Sequence, residues 1–167
     1  MKITRSWCMP NKNTFDMKPA RNVIYRHLKI HDHWLDPFAR NSHIATVTND
    51  VNENTQAEFH FDALEFLQMQ QSNSADGVLF DPPYSLRQVK ECYNNIGKAF
   101  TQRDSQYFYS DIKKEISRII KPGGKCISFG WSSNGIGKTR GFEIKEILLL
   151  SHGGNHNDTI ITVEEKK

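Results

Sequence analysis

Cysteine is scarce in this chain of 167 residues: Cys8, Cys92 and Cys126 are an odd number, widely spaced, with no Cys-x-x-Cys pair. That pattern excludes a disulfide scaffold and a cysteine-based zinc site. Long apolar runs are also missing. The longest in the C-terminal half is Ile147-Leu148-Leu149-Leu150, far short of the ~20 residues a bilayer span requires. Met1-Lys2-Ile3-Thr4-Arg5 leads into no apolar stretch, so a secretory signal is not expected. No repeat, low-complexity tract or Pro/Gly/Ser linker divides the chain, which predicts one domain over 1–167 with an irregular arm over 1–19. Hydrophobic types at 37% are enough for one core. The expectation is a cytoplasmic protein that meets no membrane.

Basic residues are missing from one long stretch. Asn41 to Leu86 holds no Lys or Arg but seven acids, leaving all 22 basic side chains against 12 acids elsewhere. Such an asymmetry fits a protein that meets a polyanion with one face, and equally a solvated acidic patch beside solvated basic helices.

What is present reads as strands alternating with helices, hence an α/β sheet, mostly parallel. Ala20 to Leu28 has helical spacing behind Pro19. Short strands are predicted at His33-Trp34-Leu35, Ile44 to Thr48, Phe59-His60-Phe61 and Gly77 to Phe80. Ser85 is a plausible N-cap for a helix carrying Leu86, Val89, Tyr93 and Ile96. A second helix is predicted from near Asp104, stopped by Pro122-Gly123-Gly124, with a strand from Lys125 to Gly130. Phe142 to Ser151 and Thr159 to Glu164 predict a closing antiparallel pair. The first four strands each run into a carboxylate: Asp36, Asp50, Asp62 and Asp81. Ligands of open parallel sheets bind outside the carboxyl ends of the strands, so these acids are expected to crowd one functional edge.

The most specific signal is Asp81-Pro82-Pro83-Tyr84 directly after a hydrophobic strand. Two prolines and an Asp also make a good turn, but a bare turn does not need this tetrad there. The segment resembles the signature of the amino-group DNA methyltransferases, which methylate adenine N6 or cytosine N4 using S-adenosylmethionine. The Asp form is more usual for adenine. The resemblance implies that Asp81 and the Pro82 carbonyl each accept an N–H of the target amine. Its lone pair is then no longer delocalised into the ring and points at the methyl. Pro83 completes the turn, and Tyr84 is expected to stack on a base extruded from the duplex.

Other segments match the family in the gamma motif order, and small phage enzymes are the nearest comparison. Asp36-Pro37-Phe38 resembles the first cofactor motif, Asp50-Val51 the ribose-binding acid and its neighbour, and Asp62-Ala63 the adenine contact. Phe15, Lys18 and Pro19 resemble the segment that packs against the methionine end, and Lys121-Pro122-Gly123-Gly124 before a strand is typical of Rossmann-like methyltransferases. The implied fold is Rossmann-like, class I, in a bacterial or phage-infected cytoplasm. Two features depart from the family. Arg40-Asn41-Ser42 stands where glycines usually follow the first motif, and no glycine precedes Gly77. Fourteen positions separate Asp36 from Asp50, so the first crossover helix is expected to be lost or reduced to a turn.

No separate target-recognition domain is expected. Candidates for touching DNA are Arg87 and Lys90 after the tetrad, Arg103, and Lys138 and Arg140 in a polar basic loop. A homodimer or a separate specificity partner would supply further contacts. The pairs His31/His33 and His152/His156 lack a third ligand at metal-site spacing, so no metal is expected; the resemblance puts His156 near the base. Rival readings are a methyltransferase for cytosine N4, RNA or a protein amide, and a non-catalytic subunit that binds cofactor or nucleic acid.

Overall fold

In the computed structural model, which describes residues 1–167, seven strands form one sheet. They are β1 (Lys2–Trp7), β2 (Trp34–Asp36), β3 (Val47–Thr48), β4 (Ala75–Phe80), β5 (Ile120–Gly130), β6 (Phe142–Ser151) and β7 (Thr159–Lys166). Their spatial order is β1-β6-β7-β5-β4-β2-β3. Only β7 runs antiparallel to its neighbours, because the chain after Ser151 folds straight back between β5 and β6. The expected parallel sheet with a C-terminal antiparallel hairpin is therefore present.

Helices cover both faces. α1 (Lys18–His27), with a 3₁₀ turn at Thr14–Asp16, packs Ala20, Val23 and Ile24 on one face. α2 (Ala63–Gln68) and α4 (Gln102–Ile119) pack Phe66, Leu67, Ile112, Ile116 and Ile119 on the other. α3 (Leu86–Asn95) starts from the Ser85 cap, as its sequence predicts. Successive strand residues enter opposite cores: Trp34 and Leu79 on the α1 side, Leu35, Val78 and Phe80 on the other. Gly77 pairs with Trp34, and a Cβ there would lie 2.5 Å from the indole, so the glycine makes room for that ring. No helix is long and apolar enough to cross a membrane.

Between β2 and β3 the chain makes only turns, so the first crossover helix is indeed absent. The two strands still pair in parallel, Leu35 with Val47 and Asp36 with Thr48.

Three expectations need correction. The segment 1–19 is not an irregular arm throughout: Lys2–Trp7 forms β1, parallel to β6 at the sheet edge. Its sequence concealed this because Ile3 and Trp7 point outward while Thr4 and Ser6 face inward, and ladder hydrogen bonds need only backbone. Phe59-His60-Phe61 is not a strand but a single bridge, Asn49 to Phe59. The buried Asn49 carboxamide takes over the pairing, accepting from Phe61 N at 3.0 Å and donating to the Phe61 and Pro37 carbonyls. Finally, Pro122-Gly123-Gly124 does not precede the strand. β5 begins at Ile120 and the register with β4 jumps from Ile120 to Lys125, with Gly123 at φ +78°. The segment is a bulge inside the strand.

Candidate active site

Asp36 closes β2 and Asp81 follows β4, its neighbour in the sheet, so the two carboxylates converge at the carboxyl edge. Asp36 is fully buried. Its Oδ1 accepts from Phe38 N at 3.0 Å, and its Oδ2 has no partner. Burial pushes its carboxyl well above the usual range, more than the Phe38 hydrogen bond pulls it down, and the Asp81 and Asp50 charges add to the rise. Burial also raises Asp81, against the Thr14 and Tyr84 hydroxyls that favour its charged form.

The tetrad is pinned from both sides. Tyr84 O–H donates to Asp81 Oδ1 at 2.9 Å, and Tyr84 N donates to Gln88 Oε1 on α3 at 2.7 Å. Tyr109 O–H, from α4, donates to the Pro83 carbonyl at 2.6 Å. The Pro82 carbonyl accepts from no protein donor. The Tyr84 ring meets Trp131 edge-on at 5.8 Å. Burial, then the Asp81 charge, raise the Tyr84 phenol, so it stays a donor.

Three cavities meet here, and Asp81 and Arg40 line all of them. One, of about 350 Å³, is walled by Pro37, Phe38, Asp50, Val51 and Ala63. A second, of about 550 Å³, is walled by Pro82, Tyr84, Trp131, His152, Asn155 and His156. The third, of about 250 Å³, reaches Thr14, Phe15 and His43. In the second, His152 is buried with Nδ1 against the Cys8 carbonyl and Nε2 against the Thr159 hydroxyl, both at 2.9 Å.

The structure thus gathers Pro37, Phe38, Asp50, Val51, Ala63 and the tetrad at one place, with Asp36 sealed beneath them and Phe15 on the adjoining cavity. The Asp50 carboxylate accepts from Arg40 N at 3.0 Å and Asn52 N at 2.9 Å. Asp62 stands apart: it caps α2 through Leu64 N, receives the Tyr93 hydroxyl, and borders a separate cavity with Phe100 and Tyr107. Lys18 and Pro19, at the start of α1, line none of the three cavities that meet at Asp81.

Of the basic candidates, Arg87 and Lys90 are exposed on α3 beside the tetrad, Arg87 paired with Glu91 at 2.8 Å. Arg103 borders the Asp62 cavity. Lys138 and Arg140 are carried away. The chain after Trp131 crosses the α4 face, buries Ile136, and is held by Glu164 accepting from Ile136 N and Gly137 N at 2.5 and 3.0 Å. The Arg140 carbonyl then takes the Ser117 hydroxyl near the end of α4, just before β6 begins.

Sequence reasoning gave Tyr109 no part in the site and read Arg40 only as a departure from the glycines expected there. Arg40 has φ +51°, unusual for a residue with a Cβ. The signal was present: a charged residue stands where the turn after β2 favours glycine.

No family model and no curated protein matches the chain in sequence. Solved structures do match it in fold. TrmN from Thermus thermophilus superimposes with TM-score 0.61 at 16% identity over 90% of this chain and 49% of that one, so the chain spans about half its length. A Burkholderia thailandensis 1,6-didemethyltoxoflavin-N1-methyltransferase, solved with its substrate and S-adenosylhomocysteine, gives 0.61 at 11% identity over 90% and 77%. A Methanosarcina mazei protein described as an S-adenosylmethionine-dependent methyltransferase gives 0.57 at 15% identity over 86% and 96%. Sheet order, helical layers and these likenesses agree: the chain has the Rossmann-like class I methyltransferase fold.

Proposed function

We propose that this protein transfers a methyl group from S-adenosylmethionine to the exocyclic amino group of adenine in DNA. One observation carries the reading: Asp81 lines both the cavity walled by Pro37, Phe38, Asp50, Val51 and Ala63 and a wider polar one, and Pro82, whose carbonyl has no protein donor, lines the second.

The residues present fit the cofactor. Asp81 lines all three cavities, so its carboxyl is an acceptor within reach of a bound cation, while Asp36, sealed beneath, holds the turn through Phe38 N. The Asp50 carboxylate keeps acceptor capacity for ribose hydroxyls. Val51, Ala63 and Phe38 supply apolar walls for the adenine ring. When bound, the group supplies a methyl on a sulfonium sulfur, already a good leaving group.

The chain's own work is to position the acceptor amine. Asp81 Oδ and the Pro82 carbonyl each accept an N–H, draining the amine's conjugation with the ring and aiming its lone pair. Tyr84 orients the carboxylate through its hydroxyl, and with Trp131 it forms an aromatic wall for the extruded base. Arg87 and Lys90 contact phosphates alongside. Orientation and local electrostatics do the rest.

Incubation with labelled cofactor and separate DNA, RNA and protein substrates, followed by digestion of the DNA to nucleosides, tests this. The expected product is N6-methyladenine. Asp81→Ala is expected to lower the rate on the order of 10²–10³-fold, the scale of removing one positioned hydrogen-bonding group. Unchanged incorporation by Asp81→Ala sinks the catalytic assignment; label appearing in RNA or protein instead sinks the substrate.

A further inference from the structure

The turn after β2 is short of free donors. Its Phe38 N is taken by Asp36 Oδ1, Ala39 N by the Asn49 carbonyl at 2.9 Å, Arg40 N by Asp50 Oδ2, and Ser42 N by the Ala39 carbonyl at 2.8 Å. A glycine-rich turn would offer backbone N–H groups to an anion, as loops that cradle anions do; this one spends them on itself. The cavities are also lined by the Asp50 and Asp81 carboxyls, so an incoming carboxylate is disfavoured unless a cation meets it.

Arg40 is placed to be that cation. It lines all three cavities, whereas Lys12 lines two. Its Nη1 donates to the Lys12 carbonyl, which fixes the guanidinium across the cavity mouth, while Nε and Nη2 have no protein acceptor. Its φ of +51° is strain that a glycine would not carry, retained where the chain gains a planar fork of donors. The guanidinium charge also favours the ionised forms of Asp36, Asp81, Tyr84 and Cys92, against the burial that raises them, which places it among them.

Resting on the proposed use of S-adenosylmethionine, we infer that the Arg40 side chain binds the carboxylate at the methionine end of the cofactor, doing with a guanidinium what free backbone N–H groups would do. Its role is binding, not chemistry.

Calorimetric titration with two probes tests it: S-adenosylhomocysteine, and 5′-methylthioadenosine, which keeps the nucleoside and thioether but lacks the amino acid. Arg40→Gln is expected to weaken S-adenosylhomocysteine at least about 10-fold and to leave methylthioadenosine within about twofold, the scale of losing a charged hydrogen bond. Arg40→Gly, which relieves the backbone strain, keeps the fold intact and shows the same selective loss. Equal weakening of both probes, or no change in either, overturns the inference while the cofactor reading stands. A wild-type protein that binds neither probe overturns the cofactor reading and this inference together.

Discussion

The two carboxyls at the strand ends set the pH behaviour of single residues. Asp36 is raised in the folded state by burial, so between its ordinary value of about 3.9 and the raised one the folded protein holds a proton that the unfolded chain has released. The stability this confers is fully present below the ordinary value and is lost as pH rises through the raised one. Asp36→Asn is expected to flatten that decline, measured as unfolding free energy in urea at a series of pH values; an unaltered slope contradicts the assignment. Asp81 is raised too, and in the proposed reaction its carboxylate form is the one that accepts the amine. Activity is therefore expected to fall with decreasing pH above the ordinary carboxylate range. At this scale the tetrad was legible because proline, aspartate and tyrosine in series are rare and chemically specific. Arg40 was legible only as a departure from an expected glycine; where its side chain reaches was not, because a backbone angle and four bonded N–H groups have no signature in a residue string.

Among the elements, α4 connects stability to the site. Thr101 caps it with Oγ1 accepting from Asp104 N at 3.2 Å, while Asp104 Oδ2 accepts from Thr101 N at 2.8 Å. The same helix delivers Tyr109 to the Pro83 carbonyl. Thr101→Ala is expected to cost about 0.5–2 kcal/mol, read by chemical denaturation, the usual price of a lost N-cap. α1, α3, α4, β6 and β7 were visible in periodicity and caps. β1 escaped because its apolar residues face outward, and Phe59-His60-Phe61 was overread as a strand because Asn49, not a strand ladder, satisfies Phe61.

Across the whole molecule the acid-rich segment 41–86 supplies Asp50 and Asp81 to the cavities, while Arg87 and Lys90 begin the basic side immediately beyond it. Affinity for an oligonucleotide is expected to fall linearly with salt on logarithmic axes. Removing Arg87 or Lys90 is expected to reduce the slope by about one each, and removing Lys138 to leave it unchanged. Equal effects at Lys138 argue for a different docking face. The sequence placed Lys138 and Arg140 near the target because they follow the strand ending at Gly130. Glu164 instead draws that loop across the α4 face toward the opposite end.

Local chemistry alone settled the alternation of strands and helices, the missing first crossover and the motif after β4, since each depends on residues adjacent in the chain. Packing decided the rest. Which acids share a cavity, which one is occupied in capping a helix, and where an arginine points depend on segments distant in sequence competing for the same buried space and the same hydrogen bonds.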